Sequence, residues 1–154
     1  MYNISEHFTY QEGVKSDTSI KNGYDNTPNE TQLSNMKFVA TEVFEPLRKH
    51  FNKPIGITSF FRCKKLNDKV GGSNTSQHRT GEAIDIDADV FGDITNKEIF
   101  DYIKDNLVFD QLIWEFGSQD EPEWVHVSKS KIKNKKQVLI SKIINKKTVY
   151  QNFG

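Results

Sequence analysis

Residues 82–89 read Glu-Ala-Ile-Asp-Ile-Asp-Ala-Asp, an apolar-acidic alternation that constrains the chain more than any other segment. Side chains on a strand point to opposite faces in turn, so a strand here has one apolar face and one face carrying Asp85, Asp87 and Asp89. Such a strand must bury one side and turn its carboxylates toward solvent, a cation or a cationic partner. A second alternating run, Trp124-Val125-His126-Val127-Ser128, places Trp124, His126 and Ser128 on one face and the two valines on the other.

The rest of the chain supplies helices to cover these strands. Asn29 and Glu30 follow Thr27-Pro28, so Thr27 is predicted to cap a helix with Pro28 in its first turn and Glu30 closing a capping box. Leu33, Met36, Ala40, Val43 and Leu47 then recur at spacings of three and four, with Pro46 expected to bend the helix near its end. A second helix is predicted to open at Thr95 with Glu98, turning Ile99, Phe100, Ile103 and Leu107 inward. Residues 55–59 and 109–116 read as further strands, and residues 63–70 as a short helix stopped by Gly71-Gly72. The expected fold class is α+β, with helices packed on a small, mostly antiparallel sheet. With 154 residues, a single domain over 1–154 is expected, with an extended N-terminal arm bearing short helical turns over 1–26 and a Lys-rich C-terminal extension over 129–154.

Composition narrows the function. The single cysteine, Cys63, excludes an intrachain disulfide and a Cys-based zinc cluster, so a metal site must use His and carboxylate. No apolar run approaches the roughly 18 residues of a membrane span. The N-terminus shows no basic-then-apolar secretory pattern. The formal net charge of zero hides an asymmetry: residues 129–154 hold eight lysines and no acid. That tail reads as a solvated edge, with Val138, Leu139, Ile140, Ile143 and Ile144 as packed strand; the alternative is contact with an anionic polymer. The acidic remainder and the lack of an aromatic-basic platform argue against nucleic acid as a partner.

Two of the four histidines stand beside these strands: His78 in the polar loop before the Asp-rich strand, and His126 within the other alternating strand. Two imidazoles and a strand carboxylate, Asp85, are the usual set for one three-ligand catalytic zinc with an open position. Calcium is the alternative for Asp85-x-Asp87-x-Asp89. The loop fails it, with Val90 where an EF-hand needs Gly and Asn96 where it needs Glu. A hydrolytic zinc site also needs a proton acceptor. Glu123, three residues before His126, is the first candidate, against the plainer reading of a loop carboxylate beside Asp120 and Glu121. Glu115, between Trp114 and Phe116, is the rival.

The run Ser76-x-His78-x-x-Gly81-x-Ala83-x-Asp85, followed by Trp124-x-His126, resembles the zinc D-Ala-D-Ala metallopeptidases. That superfamily includes D-alanyl-D-alanine carboxypeptidases, D-Ala-D-Ala dipeptidases and phage L-alanyl-D-glutamate endopeptidases, and shares its fold with the hedgehog signalling domain. Ser59-Phe60-Phe61-Arg62, Asn67 and Val70-Gly71-Gly72 also resemble family features. Phe8-Thr9 and Glu45-Pro46-Leu47-Arg48 resemble its compact phage and prophage branch. The resemblance covers about residues 6 to 130. It implies His78, Asp85 and His126 as ligands of one zinc, Glu123 as base, and Arg62, Ser76 and Trp124 as substrate-binding, with Arg62 also in the catalytic set. Phe60-Phe61 stands where the family has Gly-Tyr, which is expected to alter the pocket wall.

The expected activity is that of a zinc peptidase cutting peptidoglycan stem peptides at a bond involving a D-amino acid. The alternative is a non-catalytic zinc-containing binding module of the hedgehog-like fold. A monomer is expected, held in the cytoplasm until released to the cell wall as a phage lysin, or carried on a virion.

Overall fold

The computed structural model describes residues 2–154. The chain begins with a small hairpin, β1 (Asn3–Ser5) and β2 (Phe8–Thr9), followed by two short helices, α1 (Tyr10–Val14) and α2 (Asp17–Asn22). The two short helices are the helical turns expected here, and Ile4 and Phe8 are buried in the main core, so the segment packs on the body and does not extend from it. Asn26 fixes its far end: its amide donates to the carbonyls of Val14 and Phe61, and its oxygen accepts from the Cys63 amide.

The first long helix comprises α3 (Glu30–Val39), a π-helical turn (Ala40–Phe44) and α4 (Glu45–Phe51). Its cap is Asn29 with Gln32 in the capping box, not Thr27 with Glu30. The Thr27 hydroxyl is instead committed to Asp25. Pro46 has the expected local effect in a different form. A proline ring crowds the carbonyl four residues back. The ladder widens just before it, and the Glu45 amide reaches Ala40 O, five residues away.

β3 (Ile57–Ser59) leads to α5 (Lys64–Lys69), capped by Cys63, and then to β4 (Ala83–Ile86). α6 (Asn96–Asn106) has the predicted Thr95–Glu98 capping box and buries Ile99, Phe100 and Ile103. β5 (Gln111–Glu115), β6 (Trp124–Ser128), β7 (Gln137–Ile144) and β8 (Lys147–Asn152) complete a six-stranded sheet in the order β3-β4-β6-β5-β7-β8. The β5–β7 pair is parallel and the other neighbours are antiparallel. The fold is α+β, as expected, with a mixed sheet. The Lys-rich tail forms its last two strands.

Register divides this sheet into a structural and a chemical face. Ile84 and Ile86 of β4 lie opposite Val127 and Val125 of β6, which lie opposite Leu112 and Trp114 of β5. All six are buried against Met36, Val39, Val43 and Leu47 of the long helix and against α6. The other face carries Asp85, His126, Ile113, Trp124 and Glu115. The Asp-rich alternation is strand only as far as Ile86. Asp87 caps a short 3₁₀ turn (Ala88–Val90) and its carboxylate accepts from the Asp89 amide, so the three aspartates do not share a face. Ile143 and Ile144, expected as packed strand, are exposed at the turn end of the β7–β8 hairpin. No helix among the described residues is long and apolar enough to cross a membrane.

Candidate metal centre and substrate cleft

His78, Asp85 and His126 come from three segments and meet at one point. Asp85 and His126 are direct cross-strand partners on the outer face of β4 and β6. His78 arrives from a 3₁₀ turn (Gln77–Thr80), capped by the Ser76 hydroxyl, which accepts from the His78 amide at 3.3 Å. Gly81 closes that turn with φ +78°, and a Cβ there would stand 2.5 Å from Gln32 O and 2.9 Å from Met36 Cγ. Gly81→Ala is therefore expected to destabilise the protein by at least about 1–2 kcal/mol from the left-handed backbone alone, with the clash adding to it. Urea denaturation checks this, and an unchanged midpoint would contradict the close approach.

One ligating atom from each of the three side chains lies within 4.8 Å of the others. Asp85 Oδ1 is 3.0 Å from His126 Nδ1, and Asp85 Oδ2 is 3.3 Å from His78 Nε2. His78 Nδ1 is 2.7 Å from Phe60 O. A carbonyl only accepts, so Nδ1 carries the proton and Nε2 keeps its lone pair directed at the carboxylate. That Nε2 is buried and has no hydrogen-bond partner. Burial holds the His78 imidazole below its ordinary pKa, against the pull of Asp85. Burial would raise the Asp85 carboxyl, but the group is held well below the carboxylate range, with His126 Nδ1 at hydrogen-bond distance from it. A neutral imidazole with an unpartnered lone pair, a second imidazole and an ionised carboxylate are a donor set that fits zinc.

Arg62 lies beside this cluster and is engaged with it. Its Nη2 is 3.2 Å from Asp85 Oδ2 and its Nε donates to Ser59 Oγ at 3.0 Å. It thus braces the Asp85 carboxylate. Phe60 and Phe61 are core residues and do not form the pocket wall that sequence comparison suggests; Phe60 contributes its carbonyl to His78. Asn67 holds the loop above the site, its amide donating to Ser73 O at 2.9 Å.

The three candidate ligands, Arg62, Ser76, Trp124 and Glu115 all line one open cleft of about 790 Å³. Glu123 does not line it. Its side chain is exposed and lines a neighbouring hollow with Gly117, Ser118 and Gln119. The buried Asn96 accounts for part of that placement, because its amide donates to the carbonyls of Pro122 and Glu123 and pins the strand entry. Glu115 lies opposite Trp124 on the chemical face, nearly buried, and accepts from the Ser141 hydroxyl at 2.5 Å. Burial raises the Glu115 carboxyl above its ordinary range, opposed by the Ser141 hydrogen bond and the His126 ring.

The cleft also contains residues that the sequence reading did not select. Gln77 donates to Asp110 at its floor, and Gln137 and Tyr150 come from the Lys-rich hairpin. A signal for that hairpin was present: Asn145-Lys146 sits between two β-rich runs, and both residues adopt the left-handed conformation of a two-residue turn. The remaining histidines are engaged elsewhere, His7 with Glu45 and His50 stacked on Tyr102 at 4.0 Å between ring centroids. Glu6, His7 and Glu45 form a second close group, but Glu45 is already taken by the Ser5 hydroxyl and by the His7 amide and ring.

No curated protein matches the chain. The sequence model of the Peptidase M15 family, whose members are zinc-dependent, matches residues 6–128, a span that holds all three candidate ligands, Arg62 and both glutamates. The match covers most of the chain, and the protein belongs to the Peptidase M15 family of metallopeptidases.

Proposed function

We propose that the protein is a zinc-dependent peptidase that hydrolyses peptidoglycan stem peptides at a bond involving a D-amino acid, as an endolysin or other cell-wall hydrolase. The observation that carries this reading is the unpartnered His78 Nε2 facing Asp85 and His126 in an open cleft, with a buried carboxylate on the same sheet face. His78, Asp85 and His126 would hold one zinc ion. When bound, zinc supplies Lewis acidity toward a carbonyl oxygen and brings water within reach of deprotonation near neutral pH.

The protein's own groups divide the remaining work. Glu115 accepts the proton of the attacking water and returns it to the leaving amine. A carboxyl whose pKa burial raises holds a proton more readily, which suits a group that takes and returns one. Its place in the cleft favours it over Glu123, which has the acidic-x-x-His spacing but lines the neighbouring hollow. Arg62 orients Asp85 through one arm of its guanidinium. Ser76 fixes the His78 turn and, with Trp124, lines the path of the peptide.

Zinc-loaded protein incubated with purified muropeptides, read by mass spectrometry, tests the reading. Loss of a terminal D-Ala identifies a carboxypeptidase, and division into two peptides identifies an endopeptidase. Unchanged masses at full zinc occupancy would overturn the enzymatic reading, and bound but uncut muropeptide would identify a binding module.

A further inference from the structure

One wall of the cleft lies outside the family match, which ends at residue 128. Lys135, Gln137, Leu139, Thr148 and Tyr150, all from the Lys-rich segment, line the same cleft as the candidate ligands. Strand register explains how they get there. Trp124 lies opposite Glu115, Glu115 opposite Ser141, and Ser141 opposite Tyr150. Directly opposed residues share a face, so these four side chains form a row across β6, β5, β7 and β8 on the chemical side. At about 4.8 Å per strand, the Tyr150 backbone stands roughly 10 Å from that of Glu115.

Tyr150 is exposed on an edge strand, where a tyrosine commonly has only a packing role. Three features set it apart. It lines the cleft. Its hydroxyl lies within the electrostatic influence of Glu115, Asp85 and Arg62, and has no hydrogen-bond partner among the described residues. Burial, then the charges of Glu115 and Asp85, raises its pKa, so it stays a protonated donor through the neutral range. Arg62, which follows β3 and contacts Asp85 on β4, stands on one side of the metal cluster, while Tyr150 on β8 lies at the opposite end of the strand order.

We propose that Tyr150 is a substrate-positioning residue, its hydroxyl donating a hydrogen bond to a backbone carbonyl of the peptide on the side of the metal cluster remote from Arg62. This rests on the peptidase reading for the identity of the ligand. It assigns the C-terminal hairpin a recognition role that residues 6–128 do not contain.

The test compares wild type, Tyr150→Phe and Gln151→Ala, the last on the opposite face of the same strand. Binding of a synthetic stem pentapeptide to metal-free full-length protein is measured by calorimetry, and KM and kcat are measured with zinc-loaded protein. Tyr150→Phe is expected to weaken binding about three- to tenfold and raise KM by a similar factor, with kcat, zinc content and melting temperature nearly unchanged. Gln151→Ala is expected to match wild type throughout. Equal affinity and KM in wild type and Tyr150→Phe would overturn the proposal, as would the same loss in Gln151→Ala. If zinc-loaded wild type leaves the peptide uncut, the peptidase reading falls while the binding comparison still decides the role of Tyr150.

Discussion

Glu115→Gln is expected to lower turnover on muropeptides by about 10²–10⁴-fold, the usual worth of a general base, with zinc content unchanged. Glu123→Gln, assayed beside it, is expected to stay within a few-fold of wild type. The substitution keeps the shape of Glu115 and an oxygen to accept from Ser141, and removes the proton acceptor. The pH profile offers a second readout. A base must be ionised, so activity should rise with pH through an acid limb above the ordinary carboxylate range, because burial raises Glu115. Stability should move the opposite way. A carboxyl with a raised folded-state pKa opposes folding above its unfolded pKa, and the opposition is complete above the folded pKa. Metal-free Glu115→Gln should therefore melt higher than wild type at neutral pH, with the advantage vanishing in acid below the ordinary glutamate pKa. A collapse of turnover in Glu123→Gln alone would transfer the base to that residue.

Removing a ligand should have the other large effect. Wild type is expected to hold about one zinc per chain by elemental analysis, and His126→Ala and His78→Ala to lose most of it. Loading should also stabilise the wild type by RT ln(1 + [zinc]/Kd), about 4 kcal/mol when zinc is a thousandfold above its Kd. Both variants should forfeit that gain. His126→Ala is the cleaner test, since His78 also satisfies Phe60 O. Arg62→Ala leaves all three donors in place but frees Asp85 from its brace, and should weaken zinc binding about 10–100-fold. Full occupancy in both histidine variants would show that the metal lies elsewhere.

The parts of this site that were legible in the sequence are those that strict period-two alternation specifies. In Trp124–Ser128 the valines are drawn inward by burial, and that alone sends His126 to the outer face. The alternation at residues 82–89 misleads after Ile86 because aspartate also bonds backbone amides locally. Asp87 takes the Asp89 amide and the Asn96 side chain, and the strand ends. The choice between Glu115 and Glu123 was not legible, since alternation fixes phase within a strand and not between strands. The Glu115–Trp124 pairing settles that phase. At the helix start, Thr27 and Asn29 are both good caps, and the competing Thr27–Asp25 bond decides between them.

The parallel pairing of β7 with β5 makes the C-terminal hairpin a protective cover as well as a cleft wall. Without it, Gln111–Glu115 would become an open sheet edge, a row of unpaired amides and carbonyls with Leu112 and Trp114 among them. Such an edge is a template for association with other chains. Glu115 would also lose the Ser141 hydroxyl and much of its shelter from water. The segment that the family pattern recognises, residues 6–128, is therefore expected to depend on this hairpin to cover its sheet edge. A fragment cut after Ser128 would keep every candidate metal ligand and yet carry an aggregation-prone flank beside Glu115.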